Sequence, residues 1–158
     1  MKITADIANG NLTIEGQASY RITNRVRSYK KGTRKSHEVI KTIPDDYPYD
    51  PQPFPIGLWK ITGIEWQDKE KFDPATYGPV KIRTDAWQFV KIWKLDKDGD
   101  YLEETETEVK DHGYLLHYCT STTTLGCIRL NSASDAKVIA RIIEKAMAEG
   151  QAVELAVV

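Results

Sequence analysis

Apolar and polar residues alternate through positions 2 to 7 and again through 11 to 15, on either side of Asn9-Gly10. A period of two belongs to a strand with one buried face. Asn-Gly supplies the positive φ angles of a tight turn, so this segment predicts a β-hairpin. Residues 18 to 30 predict another strand, with Tyr20, Ile22, Asn24 and Val26 on one face and Lys31-Gly32 ending it. Residues 38 to 43 predict a short strand. Residues 44 to 55 hold five of the seven prolines; proline fixes φ and lacks an N–H, so this is an irregular surface loop within one domain. Alternation returns at 56 to 61, 80 to 83 and 87 to 95, with a Pro-Ala-Thr-Tyr-Gly-Pro turn at 74 to 79 and a further turn at 96 to 100. Residues 114 to 119 read as a strand.

The period changes once. Val138, Ile139, Ile142, Ile143, Ala146 and Met147 recur at helical spacing and predict a helix over 132 to 149 with those residues on its buried face. Ser132 is placed to cap it, Asp135 stands three residues on, and Gly150 ends it. Residues 152 to 158 predict a final strand. The succession is that of a mainly β (α+β) chain with one C-terminal helix and a closing strand.

Composition narrows this little. At 158 residues and 41% hydrophobic content the chain suffices for one domain with a sizeable core. The net charge of -1 argues against a protein whose main work is gripping nucleic acid. Arg21, Arg25, Arg27, Lys30, Lys31, Arg34, Lys35 and Lys41 make one region basic, and Glu103 to Asp111 is acidic; both read as solvated faces or loops. Two cysteines are too few for a disulfide scaffold, although a Cys119–Cys127 bridge is open. The N-terminal residues carry no apolar signal region, and no run reaches the roughly 20 residues of a membrane span. The expectation is a protein made in soluble form without a visible signal peptide.

The candidate chemistry lies in Gly113 to Asn131, GYLLHYCTSTTTLGCIRLN. An apolar run ends on His117, a threonine-rich loop follows, and Gly126-Cys127 opens the next apolar stretch. A thiol is a nucleophile only as thiolate, which needs a neighbouring base or cation, and His117 is the first candidate. Gly126 permits a backbone shape other residues resist. Strand alternation puts Leu115, His117 and Cys119 on one face, with Cys119 about 7 Å from His117. Cys119 reads as a small buried residue or as a second thiol of the pocket, and Cys127 itself could be a buried cysteine. Arg129 could favour the thiolate, bind a substrate carboxylate, or form a surface salt bridge. His112 is the alternative base, and His37 reads as a surface residue. The spacing of His112, His117, Cys119 and Cys127 does not match paired zinc knuckles. Residues 96 to 107 lack the glycine position and the final Glu of a calcium loop.

With those residues in view, the segment resembles the catalytic domain of the L,D-transpeptidases (YkuD-like). That family has an apolar strand ending in histidine, a loop, then Ser/Thr-His-Gly-Cys, a hydrophobic residue and Arg or Asn. The matching stretch is LLHY, then Thr124-Leu125-Gly126-Cys127-Ile128-Arg129-Leu130. PFPIGLWKI at 53 to 61 is similar to the family's Pro-x-Gly-x-aromatic strand, and YGPVKI at 77 to 82 to its Tyr-Gly-Pro segment. The 132–149 helix with Gly150-Gln151-Ala152-Val153 is similar to its closing helix and strand. Leu125 stands where the family keeps histidine, and the loop is short, as in variants among secretion effectors and phage-associated domains.

The resemblance implies one domain over 1–158, with N-terminal strands and hairpin in 1–50 and a β-sandwich-like catalytic core in 51–158. It implies acyl transfer on peptidoglycan stem peptides through a Cys127 thioester, with His117 as base and the Tyr118 carbonyl orienting its ring. Main-chain N–H groups of Gly126 and Cys127 would meet the oxyanion. Arg129, Thr124 and Tyr114 are expected to contact substrate. It implies no metal or cofactor, a site of action at the cell wall or periplasm, and an immunity or secretion partner. The alternative within the same fold is a non-catalytic wall-binding or structural relative.

Overall fold

The computed structural model describes residues 1–26, 51–67, 77–95, 97 and 101–158. The expected strand at 38–43, most of the basic region and most of the proline-rich loop and of the 96–100 turn lie outside them. Ten strands and one helix follow in order: β1 (Lys2–Asp6), β2 (Asn11–Ile14), β3 (Ser19–Thr23), β4 (Gly57–Trp66), β5 (Val80–Thr84), β6 (Gln88–Leu95), β7 (Tyr101–Asp111), β8 (Leu115–His117), β9 (Ile128–Leu130), α1 (Ala133–Ala148) and β10 (Glu154–Val157).

Eight strands close into a barrel in the order β1-β10-β4-β5-β8-β9-β3-β2. β1 is bonded to both β2 and β10, and β3 to both β2 and β9, so the ladder runs round without an edge. The mainly β architecture with a C-terminal helix and final strand is as expected. The sandwich-like arrangement is corrected to a closed barrel, because strands that would be the free edges of two stacked sheets are paired to each other. β4 makes this possible: its first half pairs with β10, its second half with β5, and the register shifts between Ile61 and Gly63 where it turns from one to the other.

Alternation fills the interior. Ile3, Ala5, Leu12, Ile14, Val80, Ile82, Leu116, Ile128, Leu130, Leu155 and Val157 are all buried in one cluster. Each such side chain taken from water is worth roughly 1.5–3 kcal/mol for Val, Leu or Ile. The Asn9-Gly10 turn forms, with Gly10 at φ +67. α1 packs against β4, β5 and β9 and adds Ala136, Ile139, Ala140 and Ile143 to the same cluster. Ser132 caps it by accepting the Asp135 N–H at 3.0 Å. The buried stripe is rotated from the expected one: Val138 is 41% exposed, Ile142 and Met147 are only partly buried, and Ala136 and Ala140 face inward. Alanine lets the helix backbone approach the barrel, which a stripe chosen for hydrophobicity alone does not anticipate.

β6 and β7 pair only with each other, as a separate two-stranded sheet. β7 is the acidic segment read from the sequence as a solvated face or loop. Its Thr/Glu alternation gives no apolar period, and its strand character comes from pairing along β6. Among the described residues no helix is long and apolar enough to cross a membrane.

Candidate active site

β8 and β9 run parallel, with Leu116 beside Ile128 and His117 beside Arg129. Two parallel neighbours need the chain to travel back along the first strand before starting the second. The threonine-rich loop makes that return, and so delivers Cys127 next to the start of β8 instead of its end. Leu116 and Ile128 point into the core. Alternation then turns Leu115, His117 and Cys127 to the other side, where they line one cleft of ≈ 270 Å³ with Tyr77, Asp111, His112, Tyr114, Cys119, Thr124 and Leu125 among its walls. Across adjacent strands and two residues apart, the Cα atoms of His117 and Cys127 are on the order of 8 Å apart, a diagonal that side chains can span.

The sulfur of Cys127 is fixed from β8. The Leu115 N–H donates to Sγ at 3.4 Å, and Sγ lies 3.8 Å from the Gly113 carbonyl. The N–H favours a thiolate, and the bond from the thiol to the Gly113 carbonyl favours the thiol. Neither cysteine is in a disulfide; Cys119 is buried and Cys127 half-buried, so the bridge left open by the sequence does not form here.

His117 is buried, and its Nδ1 lies 3.2 Å from the Tyr118 carbonyl oxygen. A carbonyl only accepts, so Nδ1 carries the hydrogen and Nε2 keeps its lone pair. Burial holds the imidazole pKa below its ordinary 6.5; the Tyr118 bond opposes this, and the charges of Lys81 and Arg129 add to it. Those cations flank it by register, Lys81 on β5 and Arg129 on β9. Burial and both cations thus favour the neutral ring, the state a base requires.

The turn before β9 is held by side chains. Gly126 has φ +125, and a Cβ there would lie 2.6 Å from the Gln52 carbonyl oxygen and 2.8 Å from the Tyr114 ring. Glycine is thus required both by the backbone angle and by close approach. Asn24 donates through Nδ2 to the carbonyls of Gly126 and Cys127 at 2.9 and 3.0 Å, and accepts the Phe54 N–H at 2.8 Å. Thr124 Oγ1 donates to the Cys127 carbonyl at 2.7 Å and accepts the Gly126 N–H at 3.2 Å.

These bonds show where the expected residues sit. The Gly126 N–H, expected at the oxyanion, is engaged by Thr124. Thr124 lines the cleft, but its hydroxyl braces the turn. Tyr114 is buried: its ring packs edge-on against Phe54 at 5.5 Å and its hydroxyl accepts from Gln88 at 2.9 Å. Burial, followed by the neighbouring Asp111 carboxylate, pushes its ionisation well above the phenol range. Arg129 is not among the cleft residues. Its Nε donates to the Cys119 carbonyl at 3.0 Å, and its guanidinium lies 5.3 Å from the Tyr118 ring centroid, so it braces the return loop. His112 lines the cleft from an exposed position. Asp111 is the one carboxylate of the cleft wall among the described residues, which hold no Lys or Arg there. No group of three or more metal-ligating side chains occurs among the described residues.

Sequence reasoning missed Asn24, seen only as one of a strand's facing residues, and Asp111, seen only as part of an acidic run. Asn24 acts over more than a hundred positions of sequence, so no local pattern marks it. Comparison with family models, curated proteins and solved structures returns no match to this chain.

Proposed function

We propose that this chain is a cysteine acyltransferase of the L,D-transpeptidase type, acting on peptidoglycan stem peptides. The observation that carries the reading is His117, tied through Nδ1 to the Tyr118 carbonyl, in the same cleft as a Cys127 sulfur that receives a backbone N–H. Cys127 Sγ attacks the carbonyl carbon of the bond before a terminal D-residue, and its proton passes to His117 Nε2. The S–C bond forms, the C–N bond breaks, and His117 returns the proton to the leaving amine. The thioester then passes to an acceptor amine or to water, with His117 taking the acceptor's proton. In this reading the Cys127 amide meets the oxyanion, an interaction worth about 3 kcal/mol where measured. The site of action on this reading is the cell wall or periplasm, with an immunity or secretion partner where the chain serves as an effector.

A second reading is a wall-peptide-binding relative without turnover. Leu125, in the cleft where the family keeps histidine, favours it. Incubating a disaccharide tetrapeptide with the protein and with Cys127→Ala, then weighing the products, separates the two. Loss of the terminal residue, exchange or cross-linking in the wild type alone supports the acyltransferase. Binding by both proteins with no change of mass supports the second reading.

A further inference from the structure

The turn at Tyr77-Gly78-Pro79 runs into β5, and β5 is the strand beside β8, with Lys81 opposite His117. The turn therefore lies next to the end of β8. Three contacts follow. The Tyr77 ring centroid is 5.4 Å from that of His117, at 56° to it. Lys81 Nζ sits 3.9 Å from the centroid of the same tyrosine ring. Gly78 is buried at φ +63, and a Cβ there would lie 2.6 Å from the Tyr118 carbonyl oxygen and 3.0 Å from the Tyr118 Cβ.

The carbonyl that Gly78 admits is the one that holds His117 Nδ1. Gly78 and Tyr77, adjacent in sequence, thus act on two sides of one imidazole: one leaves space for its hydrogen-bond acceptor, the other covers its ring. We propose that the Tyr77-Gly78 turn is the positioning element of His117, fixing which nitrogen carries the hydrogen and directing the other into the cleft. Neither residue is catalytic; both act through His117. The catalytic consequence rests on the acyltransferase reading, while the geometry does not.

A larger residue at Gly78 must move the Tyr118 carbonyl, since the conflict is with backbone and φ is in the left-handed region. The imidazole then loses its acceptor, and with it the preference for one tautomer. Removing the Tyr77 ring leaves the acceptor but frees the imidazole to rotate. A displacement of about 1 Å in a reacting group costs on the order of 100-fold where the geometry is tight.

The test is ¹⁵N NMR of the histidine side chains together with the rate of Cys127 alkylation by iodoacetamide. His117 is assigned by its absence in His117→Gln. The wild type is expected to show His117 as the Nδ1–H tautomer. Gly78→Ala is expected to show mixed tautomers, with alkylation slowed about tenfold or more. Tyr77→Ala is expected to slow alkylation by a few-fold, with Tyr77→Phe restoring it, because the ring and not the hydroxyl makes the contact. Should Gly78→Ala not fold, the Tyr77 pair carries the test. An Nε2–H tautomer in the wild type overturns the proposal. So does a folded Gly78→Ala protein, or Tyr77→Ala protein, with tautomer and alkylation rate unchanged. If the tautomer responds as expected while muropeptide is never turned over, the acyltransferase reading fails and the positioning of His117 stands.

Discussion

Two walls of the same barrel are built on different principles. The wall of β1, β2 and β10 has four paired positions in each of its ladders, and its inward side chains, Ile3, Leu12, Ile14 and Leu155, are completely buried. The cleft wall has three-residue strands, with two paired positions between β8 and β9 and two between β3 and β9. What it lacks in ladder it gains in side-chain bonds to backbone. Asn24 and Thr124 hold the Cys127 turn, Thr84 donates to the Tyr114 carbonyl at 2.6 Å, and Arg129 holds the Cys119 carbonyl. A long regular ladder keeps both faces of a strand in fixed alternation. A short one, braced from outside, can present a sulfur and an imidazole on one side while still closing the core on the other.

One substitution in each wall separates their roles. Cys127→Ala is expected to reduce muropeptide turnover to background with little change in melting temperature, since the thiol is half-buried and belongs to the cleft. Leu12→Ala, fully buried in the far wall, is expected to cost about 2–5 kcal/mol by denaturant unfolding while leaving the alkylation rate of the folded protein unchanged. Equal effects of both on stability would remove the distinction.

Asn24→Ala tests the bracing itself. It removes the Asn24 bonds to the Phe54 N–H and to the Gly126 carbonyl, while the Cys127 carbonyl keeps its bond from Thr124, and is expected to cost about 1–3 kcal/mol and to slow Cys127 alkylation about tenfold. Asn24→Asp keeps the acceptor for Phe54 but sets a carboxylate against two carbonyls, so its alkylation rate should fall at least as far.

His117 has its pKa lowered in the folded state, so below 6.5 the unfolded chain binds the proton more readily than the folded one. Its contribution to stability is present in full above that pH and is lost as pH falls through the folded pKa. The melting temperature should therefore decline on acidification below 6.5, and His117→Gln should flatten that decline. Asp6 and Glu65, whose pKa values are lowered from 3.8 and 4.5, act only in more acid solution. The smallest effect belongs to the helix cap: Ser132→Ala should cost about 1 kcal/mol and leave the alkylation rate unmoved.

Legibility in the sequence follows the range of the interaction. The Asn9-Gly10 hairpin, the Ser132 cap and the Gly150 stop could be read because each is settled within a few residues. The helix face was misjudged by part of a turn, since which stripe is buried depends on the barrel it meets. β7 was hidden because its neighbours, not its hydrophobicity, make it a strand. At the site, His117 and Cys127 stood out by residue type, and the face shared by Leu115, His117 and Cys119 followed from strand alternation. For Arg129 the residues left several roles open and the resemblance implied substrate contact; its register beside His117 and its bond to the Cys119 carbonyl place it on the return loop.

From sequence alone came most of the elements, several of the turn residues that end them, and a histidine and a cysteine ten residues apart. Those depend on propensity, capping and hydrophobic period, which are local quantities. Only the tertiary structure decided that the strands close into a barrel and that β8 and β9 run parallel. It alone brought Asn24, Tyr77 and Gly78 to the Cys127 turn and to the acceptor of His117. Such choices are made by ladder closure and by contacts between distant segments, where a 2.6 Å conflict at one glycine counts for more than any pattern along the chain.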